Sequence, residues 1–190
     1  MLSILSKRQV IPNPPALTGN VITNPYAIDN ASWNASGNLT VSANSLLAPD
    51  GSATADKAIP SITSGFHALS QTTLTTSAVG WIARARLKFG GYRYAELLIG
   101  NSVGYTKFLA FTFDVKAGKM VRKRGTTYDG FGRCRHLSDG WVLCDVVVNL
   151  ADANSTHRVD IAYGPVTPVG SFVGDTISYI GTWGVEFAPN

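Results

Sequence analysis

The apolar positions of this chain recur at every second residue, in short runs, rather than at every third or fourth. The clearest run is "WIARARLKF", in which Trp81, Ala83, Ala85, Leu87 and Phe89 face one way and Arg84, Arg86 and Lys88 the other. Alternation of this kind marks a strand with one buried face. The same period runs through "NLTVSAN" around Leu39 and Val41, and through "FHALSQTTL" with Phe66, Ala68 and Ser70 on one face. It continues in "YAELLIG", "KFLAFTFDV", "GKMVRKR", "WVLCDVVVNL" and "HRVDIAYG". Gly, Asn, Asp and Pro stand between the runs, as turns require. "APDGSATADKAI" predicts a Pro-Asp-Gly turn returning towards Ile59, and "RCRHLSDGWVLC" predicts a hairpin tipped by Ser138-Asp139-Gly140. Centring that hairpin on Asp139 sets Cys134 opposite Cys144 across the ladder. There they are either two small buried thiols, favoured for a cytosolic product, or a strained cross-strand disulfide. About ten strands and no helix-period window predict an all-β fold, a two-sheet antiparallel β-sandwich (jelly roll), over residues 31–190.

The last run, "GDTISYIGTWGVEF", alternates from Tyr179, which puts Tyr179, Gly181, Trp183, Val185 and Phe187 on one face. The expectation is that the aromatics fill the sandwich core while Gly181 makes room for a bulky neighbour from the facing sheet. Trp33, Trp81, Trp141 and Trp183 are all read as core residues. Residues 1–30 differ. Four of the nine prolines fall here (Pro12, Pro14, Pro15 and Pro25), so the segment is expected to be an extended N-terminal arm. Its apolar Met1, Leu2, Ile4, Leu5, Val10 and Ile11 point to an arm that anchors on a partner, because flexible tails are usually polar.

Composition narrows the picture. A chain of 190 residues with 45% hydrophobic and 15% charged content can bury a core without a disulfide or metal staple. No run approaches ~20 apolar residues, so no transmembrane helix is expected. The start places apolar residues before Lys7 and Arg8, the reverse of a signal peptide, which predicts synthesis in a cytosol. The formal charge of +4 is mild, but Lys116, Lys119, Arg122, Lys123, Arg124, Arg133 and Arg135 crowd one stretch. That stretch reads either as a charged strand edge or as a docking surface for an acidic protein. Nucleic acid is disfavoured, since no stacking motif accompanies the charge.

Catalytic chemistry is not apparent. His67, His136 and His157 are scattered, no serine stands in a Gly-x-Ser-x-Gly elbow, and the only glutamates are Glu96 and Glu186. Asp50, Asp56 and Asp175 sit in turns that need no calcium, so no metal ligand and no cofactor is assigned. The expectation is a protein that is not an enzyme.

Three stretches carry a resemblance: "NASWNASGNLTVSANSLLAPDGSATADK" with Trp33 and Ala48–Gly51, "HLSDGWVLCDVVVNL" with Gly140, Trp141 and Cys144, and "GDTISYIGTWGVEF" with Gly174, Asp175, Trp183, Gly184 and Glu186. In order and spacing, from about Asn24 onwards, the chain resembles the jelly-roll module of bacteriophage tail-fibre and virion proteins. That module is similar in shape to carbohydrate-binding modules and concanavalin-like lectins. The resemblance implies a structural virion protein made in a host bacterial cytoplasm, either a capsid decoration (cement) protein or a short fibre subunit. It would attach to a major capsid or tail protein by its arm and by the basic residues Arg84, Arg86, Lys88, Arg122, Lys123 and Arg124. Arg84, Arg86 and Lys88 on one strand repel one another unless acids or a sister chain lie beside them, which suggests a homotrimer. The alternative is a carbohydrate-binding tail-fibre adhesin that recognises a host surface glycan. Tyr92, Tyr94, Tyr105 or Tyr128 would then stack on the sugar, and solvent exposure of these tyrosines discriminates the two readings.

Overall fold

The computed structural model describes residues 11–75, 80–101, 105–150 and 155–190. Twelve strands build it: β1 (Asn34–Ser36), β2 (Thr40–Leu46), β3 (Ala55–Ile59), β4 (Ala68–Thr75), β5 (Gly80–Gly90), β6 (Tyr94–Asn101), β7 (Phe108–Asp114), β8 (Lys119–Arg124), β9 (Asp129–His136), β10 (Trp141–Asn149), β11 (Ser155–Gly164) and β12 (Tyr179–Pro189). They form two antiparallel sheets of six, in the orders β1-β4-β11-β6-β7-β8 and β2-β3-β12-β5-β10-β9. The fold is an all-β sandwich of the jelly-roll type. No helix among the described residues is long and apolar enough to cross a membrane.

The two-residue period decides what lies between the sheets. From β5 come Trp81, Ala83, Ala85 and Leu87, and from β10 Val142, Cys144, Val146 and Val148; they meet Ala95, Leu97 and Ile99 of β6, Leu109, Phe111 and Phe113 of β7, and Val159, Ile161 and Tyr163 of β11. Phe89 has the inward parity, yet it is 36% exposed and lies outside that core. The hairpin forms as expected, with Asp139 and Gly140 at φ 54° and 77° in the tip. Cys134 pairs directly with Cys144, and their Sγ atoms lie 3.4 Å apart as two thiols.

The final strand corrects the sequence reading. Register slips between Trp183 and Glu186, with Gly184 at φ 59°, so β12 carries a bulge that reverses its alternation. Ile180, Val185 and Phe187 point into the core, and Phe187 lies 4.8 Å from Trp81 between ring centroids. Trp183 instead belongs to a second cluster with Ala48, Ala55, Leu137, Trp141 and Leu143 on the outer side of the sheet. Gly181 faces the same way. A Cβ there would stand 2.8 Å from Leu46 Cδ1 and 3.0 Å from Lys88 Cβ, so the glycine accommodates neighbours on its own sheet's outer face and not the facing sheet.

That outer face is closed by the arm. Arg86 donates from Nε to Asn13 Oδ1 (2.7 Å), from Nη2 to the Pro14 carbonyl (2.9 Å) and from Nη1 to Glu186 Oε1 (3.2 Å). Arg84 donates to Asp145 Oδ1 (2.8 Å) and to the Pro15 carbonyl (3.3 Å). Farther along, the Val21 N–H donates to the Phe187 carbonyl (2.8 Å) and the Val185 N–H to the Pro25 carbonyl (2.8 Å), along the stretch of β12 that β3, paired only to Ile180–Thr182, does not reach. Prolines suit this path because an arm crossing a sheet needs carbonyl acceptors more than N–H donors. From Ile11, whose N–H donates to the His136 carbonyl at 3.0 Å, the described arm is thus committed to its own sandwich. Leu2, Ile4, Leu5 and Val10 lie outside the described residues.

Removing one partner of a buried ion pair strands the other charge, at a cost of about 3–5 kcal/mol. Arg86 and Glu186 have side-chain exposures of 1% and 0%. Arg86→Ala is therefore expected to lower the unfolding free energy by about that amount in urea, whereas Lys123→Ala on the exposed edge strand changes it little; equal effects would contradict the buried pairing.

Candidate functional site

The outer face of the other sheet is built by the same alternation and is not closed by the arm. Ladder pairing puts Arg158, Gly100 and Phe108 in one row, Asp160, Leu98, Ala110 and Arg124 in the next, and Ala162, Glu96, Thr112 and Arg122 in a third. Small residues at Gly100, Ala110 and Ala162 set a low floor between long side chains. The result is a cleft of about 290 Å³ lined by Phe66, Leu98, Tyr105, Phe108, Arg124, Arg158 and Asp160, near the lower limit for small-ligand sites.

Its charges are paired and fixed. Buried Glu96 receives Arg124 through Nε (3.0 and 3.1 Å) and Nη2 (2.5 Å), and Thr112 Oγ1 donates to it at 2.9 Å. Asp160 receives Arg158 Nε at 2.7 Å and the Tyr105 hydroxyl at 2.5 Å. Burial raises the Asp160 pKa against the pull of those two donors, and burial together with the Asp160 contact raises that of the Tyr105 phenol. The guanidiniums retain about a third of their side-chain exposure, 33% for Arg124 and 29% for Arg158, so each turns unused N–H groups to solvent. Two cations and two anions leave the cleft without net charge.

Tyr105 is held there deliberately. Its φ of 50° lies in the left-handed region, which costs a side-chain-bearing residue about 1 kcal/mol or more. Gly100 makes the space: a Cβ there would stand 2.7 Å from the Tyr105 ring. The Arg158 guanidinium stacks 5.1 Å from that ring, and the Arg124 guanidinium 5.6 Å from Phe108.

The sequence-selected residues divide. Tyr105 and Arg124 meet in the cleft, and Tyr94 and Arg122 share its sheet face, Tyr94 packing with Phe66 against Ala68, Ala162 and Val169. Tyr92 and Tyr128 do not belong: at 6% and 2% exposure they are core residues, with their hydroxyls used on Asp175 (3.3 Å) and His157 (3.2 Å). Arg84 and Arg86 are likewise buried against carboxylates of the same chain, so the electrostatic reason for a homotrimer falls away. Lys88 is half-buried, and Arg122 and Lys123 lie exposed on edge strand β8. Phe66, Leu98, Phe108, Arg158 and Asp160 were missed, although the inward parity of Val159, Ile161 and Tyr163 already turns Arg158 and Asp160 outward.

Glu96 and Glu186 sit on opposite outer faces and cannot flank one bond. No group of three metal-ligating side chains occurs among the described residues. A second, more open hollow of about 500 Å³ lies beside Tyr26, Asn44, Asp50, Ser52, Thr54 and Trp183. Its tryptophan is already contacted by Tyr26 at 4.7 Å and by Arg86 at 5.2 Å, and is 7% exposed, which leaves little ring for a ligand.

No protein-family profile and no curated protein sequence matches the chain. Solved structures do. TmCBM61, a carbohydrate-binding module in complex with β-1,4-galactotriose, aligns over 90% of this chain and 99% of its own with a TM-score of 0.51 and 9% identity. The likeness is one of fold. An arabinose-bound α-L-arabinofuranosidase, MgGH51, aligns over 90% of this chain and 26% of its own (TM-score 0.52, 12% identity). The enzymatically active domain of tailspike protein 4 from bacteriophage CBA120 aligns over 89% of this chain and 21% of its own (TM-score 0.50, 11% identity). The jelly roll is therefore one used by carbohydrate-binding and carbohydrate-active proteins.

The Gly174-Asp175 turn yields a pH prediction. The Asp175 carboxylate accepts from Ser178 Oγ (2.7 Å) and from the Ile177 and Ser178 N–H groups (2.9 and 2.7 Å), which lowers its pKa to about 2. A folded-state pKa below the unfolded value of about 3.9 stabilises above that pH and ceases to as pH falls towards 2. The thermal-midpoint difference between wild type and Asp175→Ala is expected to be constant above about pH 5 and to shrink steadily below pH 4; a difference that grows on acidification would contradict this.

Proposed function

We propose that the chain is a non-catalytic glycan-binding module whose site is the cleft at Tyr105, Phe108, Arg124, Arg158 and Asp160. The observation that carries the reading is the pairing of two aromatic rings with two fixed carboxylate–guanidinium pairs on a sheet face that the arm leaves open. A sugar ring presents an apolar C–H face and a rim of hydroxyls; aromatics suit the first, and preorganised donors and acceptors the second. The neutral balance of charge favours an uncharged saccharide. Neighbours of the same fold, in complex with galactotriose and with arabinose, support the class of ligand and suggest galacto- and arabino-oligosaccharides as first probes.

The setting we propose is a phage particle, on the resemblance carried by residues 30–57, 136–150 and 174–187 and on the fold shared with a tailspike domain. There the module would serve host recognition as a tail-fibre adhesin. Attachment through Leu2, Ile4, Leu5 and Val10 belongs to that proposal. A cement role resting on Arg84 and Arg86 does not, since those side chains are occupied.

Titration calorimetry against a glycan panel is expected to find a ligand in the micromolar to millimolar range. Arg158→Ala and Phe108→Ala should weaken it at least tenfold, about 1.4 kcal/mol, with Arg122→Ala near neutral. Binding that survives both cleft substitutions would remove this site.

A further inference from the structure

A different cleft lies where the sandwich ends. The C-terminal end of β5, the β7–β8 turn and the tip of the β9–β10 hairpin converge on about 310 Å³ lined by Lys88, Phe89, Val115, Lys116, His136 and Gly140. Its elements come from both sheets, and it shares no lining residue with the glycan cleft.

Its cations differ from the paired arginines of the two sheets. Arg84, Arg86, Arg93, Arg124 and Arg158 each hold a carboxylate. Lys88 and Lys116 form no ion pair with any carboxylate among the described residues, yet both line this cleft: Lys116 Nζ lies 5.1 Å from the ring of Phe89 in its wall, and Lys88 Nζ lies 5.8 Å from the ring of Trp141, which is outside the lining. Lys88 is also half-buried, and a half-buried ammonium without a counter-charge favours an anion beside it. The third polar wall is built with equal care. His136 Nε2 lies 3.1 Å from the Ala117 carbonyl, which only accepts, so Nε2 carries the proton. Gly118, at φ 64°, is required there, because a Cβ would fall 2.2 Å from that nitrogen. Phe89, which the core leaves 36% exposed, supplies an apolar wall.

We propose that this cleft is an oxyanion site, taking the carboxylate, sulfate or phosphate group of a small ligand between the ammonium groups of Lys88 and Lys116, with the body of the ligand against Phe89. The site stands independently of the glycan reading, because it is tested with its own probes. Inorganic phosphate, D-glucuronate and uncharged D-glucose are titrated into the full chain at constant ionic strength and followed by amide NMR. Saturable shifts confined to residues 88–89, 115–118 and 136–140 are expected for at least one oxyanion and not for glucose. Phosphate alone would indicate a phosphate- or sulfate-sized group, and glucuronate alone a carboxylated ligand. Lys88→Gln/Lys116→Gln should weaken the binding at least tenfold with other resonances unmoved; if the double variant unfolds, Lys116→Gln, at an exposed position, reads the same loss. No saturable shift below about 10 mM, equal shifts with glucose, or shifts unchanged in the variants would each overturn the site.

Discussion

Four carboxylates that are almost wholly removed from water govern how this sandwich is finished: Asp145 and Glu186 on one outer face, Glu96 and Asp160 on the other. A buried carboxylate needs donors, and each of these four is met by a guanidinium and by further donors, whereas the equally buried Asp56 is met by the backbone N–H groups of Ile28 and Asn44. On the first face Asp145 receives Arg84 and, from β9, Arg133 and Arg135, while Glu186 receives Arg86, the Tyr26 hydroxyl and the Leu17 N–H. Those contacts need a roof. The arm provides it, its proline-rich stretch offering carbonyls to the guanidinium N–H groups left over. The bulge at Gly184 is part of the same solution, since it turns Glu186 outward towards Arg86 while returning Val185 and Phe187 to the core.

The second face uses the same pairing with a different end. Arg124 and Arg158 neutralise Glu96 and Asp160, but the arm does not cross them, and the remaining guanidinium donors look onto a cleft. One face is therefore sealed by the chain itself and the other is preorganised and open. This asymmetry explains why the basic strand β5 is a poor docking surface despite its sequence, and why the open cleft falls on the strands β6, β7, β8 and β11.

Much of the fold is legible in the sequence because the alternation is strong: "WIARARLKF" fixes the inward face of β5, and the symmetric hairpin fixes Cys134 opposite Cys144. Two readings fail for a shared reason. Alternation is a local rule, and a single glycine with positive φ at 184 resets it, which carries Trp183 to the outer cluster and Glu186 to Arg86. Exposure is a tertiary property, so Tyr92 and Tyr128, though flanked by turn residues, are buried by Phe172 and His157 from distant parts of the chain. Arg84 and Arg86 read as free cations because their partners are about 60 and 100 residues away. The cleft combines four strands with Phe66 and Tyr105, and only Tyr105 and Arg124 stand out as single residues.

The proposed saccharide site lies on the open sheet face. The direct measurement is amide chemical-shift mapping with the tightest oligosaccharide found in the panel. Shifts centred on residues 98–101, 105–110, 124 and 158–160 are predicted. Shifts centred instead on Tyr26, Thr54 and Trp183, on the sealed side of the molecule, would contradict it.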